Sequence, residues 1–216
     1  MALREEEVRR LGRPTDADSA ATRRRVLNEA RILFARDGMS NTTNKALADA
    51  AGLTPTAIYH YFSSKSDLYE EVCRDVIDQV VGMFTAAAES SDSLLERLDA
   101  LFSHIGQINA NDPSMSAFIM GMSDEARRHP EIRDVAVSLQ TEMATTLLHL
   151  IETASDRDAL LRGASPSAFA DMLFSTLGGF ARLRVNTKDA ARPRAAAELL
   201  LRMMHHAAGS SKEGLA

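Results

Sequence analysis

Thr43-Asn44-Lys45-Ala46-Leu47-Ala48-Asp49-Ala50-Ala51-Gly52-Leu53-Thr54-Pro55-Thr56-Ala57-Ile58-Tyr59-His60-Tyr61-Phe62 reads as two short helices joined by a sharp turn. Helices that cross steeply need a small residue where their backbones meet, and Ala48 fits that place. Gly52 supplies the residue that adopts positive φ without steric cost. Leu53 and Ile58 then plug the space between the helices, Thr54 caps the second one and Pro55 opens it. Pro55, Thr56, Ala57, Tyr59 and His60 are thereby presented together near a helix N-terminus, the arrangement with which a recognition helix enters a DNA major groove. Taken alone, the pattern also describes any helical hairpin.

Charge narrows the choice. The chain of 216 residues has a net charge of -5, which by itself disfavours a polyanion as partner. The distribution is uneven: residues 9–66 hold ten Lys or Arg against five acids, a balance of +5, and the remainder stands at -10. Such asymmetry marks a basic module joined to an acidic body, although half a dozen basic residues also suit a solvated face.

The rest of the chain is punctuated as helix. Five of the six prolines follow a capping or terminating residue, at Pro55, Pro113, Pro130, Pro166 and Pro193. Ser64-Lys65-Ser66-Asp67 and Ser93-Leu94-Leu95-Glu96 read as capping boxes, and Gly38 and Gly163 suit the left-handed residue that ends a helix. Apolar residues recur at spacings of three and four, as in Val26, Ala30, Leu33, Phe34 and in Phe169, Met172, Leu173, Leu177, Phe180. Nine helices are expected, near 20–37, 43–51, 55–62, 65–88, 93–109, 113–128, 130–156, 165–186 and 190–207. The expected fold class is all-α: an N-terminal three-helix helix-turn-helix domain at 20–66 and a six-helix ligand-binding and dimerisation bundle at 67–208, flanked by a flexible basic arm at 1–19 and a flexible tail at 209–216.

Residues 22–72 resemble the DNA-binding domain of the TetR family of transcriptional regulators. The resemblance runs through Ala30, Phe34 and Gly38, then Thr43, Ala48, Gly52, Leu53, Tyr59-His60-Tyr61-Phe62, Ser64-Lys65 and Asp67-Leu68. It implies phosphate contacts by Thr43, Tyr59, His60 and Lys65, with Thr56 and Ala57 facing bases. The chemistry agrees, since a hydroxyl and exposed N–H groups at a helix start bind phosphate and a lysine adds a point charge. Pro55 and Ala57 touch only a thymine methyl, Thr56 reaches a methyl or a base edge, and Lys45 is the better candidate for guanine. Phe62 and Tyr61 are assigned to the core. Arg13 either reaches an adjacent minor groove or belongs to a merely soluble arm.

The acidic remainder is rich in Met and Phe, which fill irregular apolar spaces and adapt to guests, though an ordinary helical core uses them equally. The resemblance implies an effector among the later helices, and Phe102, Phe118, Met120, Met122, Met143 and Phe174 would suit an apolar or amphipathic small molecule, with His104 and His149 as polar anchors. The last two helices are the expected homodimer face: Gly178-Gly179 tolerates close approach, and Leu177, Phe180, Leu199, Leu200 and Met203 supply apolar surface. A two-fold dimer would bind a palindromic operator in double-stranded DNA.

The alternative readings are an effector-independent regulator or activator, or a helical protein-interaction module without DNA binding; an enzyme finds little support. There is no His-Glu-x-x-His, Gly-x-Ser-x-Gly, phosphate-binding glycine loop or cysteine pair, so neither an enzyme nor a cofactor or metal is expected. Cys73 reads as an inert packed thiol. No window approaches the ~18–20 uninterrupted apolar residues of a membrane span, and no signal sequence is apparent, so a cytoplasmic location is expected.

Overall fold

A computed structural model describes residues 16–187, 189 and 191–213. Among these residues it is all-α, with no strand. The helices are α1 (Asp16–Asn41), α2 (Asn44–Ala51), α3 (Pro55–Ile58), α4 (Lys65–Glu89), α5 (Leu94–Asn111), α6 (Ser114–Arg128), α7 (Arg133–Glu152), α8 (Arg157–Leu161), α9 (Pro166–Asn186) and α10 (Ala191–Glu213), with a single 3-10 turn at Pro130–Ile132 before α7. The proposed minor-groove role of Arg13 lies outside the described residues.

The short helices form where the sequence places their signals. Thr43 and Thr54 are extended N-caps whose hydroxyls accept the N–H of Ala46 at 3.1 Å and of Ala57 at 3.2 Å. Gly52, at φ 65° and ψ 38°, closes α2 by donating its N–H to Ala48 and Asp49 carbonyls. Ala48 of α2 and Ile58 of α3 are both buried. Ser64 caps α4, accepting the Asp67 N–H, while the Asp67 carboxylate reaches back to the Ser63 N–H.

Several elements depart from the expectation. The last helix-turn-helix segment leaves α-geometry after Ile58, because Tyr61 and Phe62 both donate to the Ile58 carbonyl and the tightened turn drops Phe62 into the core. The expected helix 130–156 is a 3-10 turn followed by α7, with buried Ile132 pulled inward between them, and it ends at Glu152 because the Ser155 N–H is taken by the Asp92 carbonyl. Arg157–Leu161 forms a separate helix, too short to show a period in the sequence. Pro113 is the N-cap of α6, not its first residue. Ser93 makes no capping hydrogen bond; the Leu94 N–H is instead accepted by Asp156, far along the chain. Gly38 lies inside α1 as a break at φ 77°, ψ 165°, after which one more turn carries Met39 to Asn41.

Packing joins these pieces around one continuous apolar cluster that runs from Val26 in α1 to Met204 in α10. α4 is its spine, burying Leu68, Tyr69, Val72, Val76, Ile77 and Val80 between α1 on one side and α7 on the other. Each fully buried side chain of this size contributes about 1.5–3 kcal/mol. Arg97, itself buried, donates to the Ser91 and Leu150 carbonyls and to the Thr153 hydroxyl, and so ties the α4–α5 turn to the end of α7.

Candidate nucleic-acid interface

Two capped helix starts lie in the N-terminal region. Thr43, Asn44 and Lys45 at the start of α2 are exposed, as are Thr54, Pro55 and Thr56 at the start of α3. Tyr59 and His60 follow on the exposed side, while Ala57 is half-buried. Of the residues assigned to DNA from the sequence, Thr43, Lys45, Pro55, Thr56, Tyr59 and His60 are exposed, and Ala57 and Lys65 are half-buried. Phe62 is buried and Tyr61 is half-buried against it, in agreement with their assignment to the core.

Lys65 is the exception in its surroundings. It is half-buried, and its ammonium donates to the Thr42 carbonyl at 3.1 Å and the Ser40 carbonyl at 3.5 Å. A cation there satisfies carbonyls left open at the end of α1 and complements its dipole. Lys65 is thus a staple between α1 and α4 as well as a candidate phosphate ligand. Arg23 performs a related task, pairing with Glu71 at 2.7 Å and lying over the Phe62 ring at 5.2 Å.

One residue of this surface was not picked out from sequence. The Asn44 side-chain amide donates to the Tyr59 hydroxyl across the two helices. A phenol oxygen that accepts there keeps its own O–H for an outside acceptor, which is what a phosphate oxygen is. No local pattern signals this pairing, because the two residues come together only when α2 and α3 cross.

Behind the head lies its seam with the body. Arg31 of α1 is 4% exposed and pairs with Asp112 at 2.5 Å, while Glu125 of α6 is 7% exposed and accepts the Met39 N–H at 3.2 Å. Burial works to raise the Asp112 carboxyl, but hydrogen bonds from the Ser114 hydroxyl, Arg31 and the Ser114 N–H, with the Arg31 charge, outweigh it and hold the group below its ordinary value. A cavity of about 410 Å³ opens at this seam over Phe34, Tyr69 and Phe118. Those rings form a continuous series, with centroids 5.1 Å apart at each step, that crosses from α1 through α4 to α6. Burial, then the nearby Cys73 and Glu125, pushes the Tyr69 phenol up, so it stays neutral. Burial likewise pushes the Cys73 thiol up to about 12, consistent with an inert packed residue.

The residues named for an effector differ in burial. Phe102, Phe118, Met122 and Met143 are buried, Met120 is half-buried, and Phe174 lies at the surface of α9 beside exposed Met172. Phe118 lines the seam cavity and Phe102 packs edge-on against Phe180 at 6.2 Å. A second cleft, about 560 Å³ between α4 and α7, is lined mainly by acids, among them Glu70, Asp78, Glu131, Asp134 and Glu142, and by none of the named residues. His149 is exposed; His104 is half-buried with its Nδ1 enclosed and unbonded. Of the residues named for a dimer, Leu199 and Met203 are 52% and 61% exposed, and Leu177, Gly178, Phe180 and Leu200 are half-buried.

This architecture defines an all-α protein with a helix-turn-helix head on a helical body. Residues 26–72 match the family described as bacterial regulatory proteins, tetR family. The HTH-type transcriptional repressor KstR2 of Mycolicibacterium smegmatis is 36% identical over 88 residues, 41% of this chain and 43% of that protein. The chain thus matches less than half the length of such curated relatives. Among solved structures, a TetR-family transcriptional regulator from Agrobacterium tumefaciens shares the fold with a TM-score of 0.75 at 18% identity, over 85% of this chain and 97% of the other. FadR from Bacillus subtilis in complex with stearoyl-CoA aligns with a TM-score of 0.66 at 17% identity, over 82% and 97%. Residues 26–72 thus carry the tetR-family match, and most of the chain shares the fold of solved TetR-family regulators. Among the described residues no helix is long and apolar enough to cross a membrane.

Proposed function

We propose that the chain is a homodimeric transcriptional repressor that binds a palindromic operator through residues 20–66 and is released by an apolar or amphipathic small molecule bound within residues 67–208. The observation that carries this reading is the doubly capped pair α2–α3, on and beside which Thr43, Lys45, Thr56, Tyr59 and His60 are all exposed. Thr43 and the open N–H groups at these helix starts bind phosphate, Tyr59, His60 and Lys65 add donors, and Pro55, Thr56 and Ala57 meet base edges.

The dimer draws support from α9 and α10. Met172, Phe174, Val185, Leu199 and Met203 are large apolar side chains left exposed on these two helices. A methyl group built on Gly178 or Gly179 meets no atom within 4 Å beyond its own stretch of helix, so packing within the described chain does not itself require glycine there. Phe174 belongs to this apolar face in our reading, and Phe102, Phe118, Met120, Met122 and Met143 remain the candidates for the effector. FadR holds stearoyl-CoA in its solved complex, and a long acyl chain is chemistry that a Met- and Phe-lined interior accommodates. Effector binding then shifts the population of head orientations, through α4, whose start is stapled to the head by Lys65 and Arg23.

The experiment is a gel-shift with duplexes selected by the protein from a random pool, titrated with stearoyl-CoA as first probe. A selected palindrome, bound by two protomers and released by the probe, is the expected result. Selection of no duplex overturns the DNA-binding reading; a bound duplex that no acyl-CoA probe releases overturns the effector assignment alone.

A further inference from the structure

The acidic body carries one basic turn. Residues 182–194, which join α9 to α10, hold five Lys or Arg against a single acid, Asp189, whereas the rest of 67–216 holds nine against twenty-one. Arg182, Arg192 and Arg194 are exposed there, and Arg184 is half-buried. The one acid is engaged, since the Asp189 carboxylate accepts the Ala191 N–H at 2.9 Å where α10 starts. Arg194 pairs with Glu198 at 2.9 Å yet keeps its side chain 82% exposed, and Arg182 and Arg192 form no ion pair with any described residue.

The helix directions fix where this turn lies. α4 starts at the head, where Lys65 is bonded to the end of α1, and runs away from it. At the far end the α4–α5 turn meets the α7–α8 turn: the Asp92 carbonyl accepts the Ser155 N–H at 2.9 Å, and Asp156 accepts the Leu94 N–H at 2.7 Å. α5 then returns, and Asp112, just past its end, pairs with Arg31 of α1. α9 and α10 are held in register with α5 at two points. Arg184 donates to the Asn109 carbonyl at 2.7 Å in the last turn of α5, and His205 pairs with Asp99 at 2.8 Å near its start. These ties are about 15 Å apart along α5 at 1.5 Å per residue, so α9 ends and α10 begins on the head side of the body.

We propose that the α9–α10 turn is a second phosphate-binding surface, through which the body contacts the DNA backbone between the two half-sites held by the heads. An acidic body repels a duplex, and the cationic turn offsets that repulsion on the side that faces it. Guanidinium groups suit this task, because their planar forks present paired N–H donors to phosphate oxygens. The inference rests on the DNA-binding and dimer readings above. With two copies joined through α9 and α10, their turns come side by side at the two-fold axis, over the centre of the palindrome. Contact with the backbone adds affinity without sequence preference.

Fluorescence anisotropy of a selected palindromic duplex, across a salt series, compares the wild type with Arg182→Gln/Arg192→Gln/Arg194→Gln; Arg184, which is tied to α5, is left in place. One phosphate contact per protomer makes the slope of log affinity against log salt smaller in the variant by about 2 per dimer. A duplex with uncharged methylphosphonate linkages at the centre of the palindrome reduces the wild-type slope by the same amount and leaves that of the variant unchanged. The wild-type arm of this second measurement decides the matter if the variant does not fold. A variant with the wild-type slope, or a wild type indifferent to the uncharged centre, overturns the inference. So does a variant that sediments as a monomer, which would assign the turn to the dimer contact. Uncharged linkages inside the half-sites weaken both proteins alike; if they weaken neither, or if no duplex is selected, the DNA-binding reading fails instead.

Discussion

The head and the body share one apolar core but are held in shape by different means. In the head, α2 has 8 residues and α3 has 4, too few to be stable from their own hydrogen bonds, so their form depends on their ends: Thr43, Gly52, Thr54 and the Lys65 staple. In the body, α4 with 25 residues and α7 with 20 are held mainly by long apolar faces. The difference teaches that a single exposed polar side chain specifies shape in the head, whereas in the body specification is spread over many interchangeable apolar ones.

The strongest challenge to this comparison is to cut the shared core on either side. Phe62→Ala and Phe118→Ala each remove a nearly fully buried ring and are expected to cost about 3–5 kcal/mol, read as urea midpoints. Both variants are expected to unfold in one transition; a separate early transition for the head in Phe62→Ala would show that the core is not shared. The seam between the regions comes next. Asp112 has a depressed pKa in the folded state, so its contribution is present above its unfolded value of about 3.9 and is lost as pH falls through the lower folded value. Asp112→Asn is therefore expected to cost about 1–3 kcal/mol at pH 7, with the gap to wild type closing in acid. A gap that persists at pH 2 would assign the effect to shape and not to charge.

Helix ends give the sharpest contrast. Thr54→Ala removes a cap in the head and is expected to cost about 1 kcal/mol, whereas Ser93→Ala, which removes a hydroxyl that caps nothing, should stay within about 0.5 kcal/mol. Equal losses in chemical denaturation would erase the distinction. The smallest effect is on stability and the readable one is on DNA. Asn44→Ala leaves the melting temperature unchanged but weakens duplex binding by about 0.5–1.5 kcal/mol, and that loss disappears in a Tyr59→Phe background. An additive cycle would mean that Asn44 does not act through the Tyr59 hydroxyl.

The same contrast explains what could be read from sequence. Ala48, Gly52, Thr54, Pro55 and Phe62 were legible because each acts on residues a few positions away, where spacing is information. The all-α class was legible in the body for the same reason, since apolar periodicity is local. What was not legible depends on distant partners: Leu94 is capped by Asp156, 62 positions on; Glu125 meets Met39 across 86; Arg31 meets Ser114 across 83. Ser93 carried a capping-box spelling that the fold does not use, and α8 is too short to show a period. Phe174 looked like any other apolar residue of a helical pattern, and only packing shows that it faces outward. Lys65 was read as a phosphate ligand from its motif, and its bonds to the Ser40 and Thr42 carbonyls add a structural duty that no spacing announces.

The central claim is that the small basic head, on an otherwise acidic chain, binds duplex DNA through its phosphates. Fluorescence anisotropy of a selected palindromic duplex, titrated with the wild-type protein across a salt series, tests it directly. The account predicts two protomers per duplex and a log affinity that falls linearly with log salt, by about 0.9 for each phosphate neutralised. Lys65→Ala should reduce that slope by about 1. Binding that ignores salt, or no binding to any selected duplex, would contradict it.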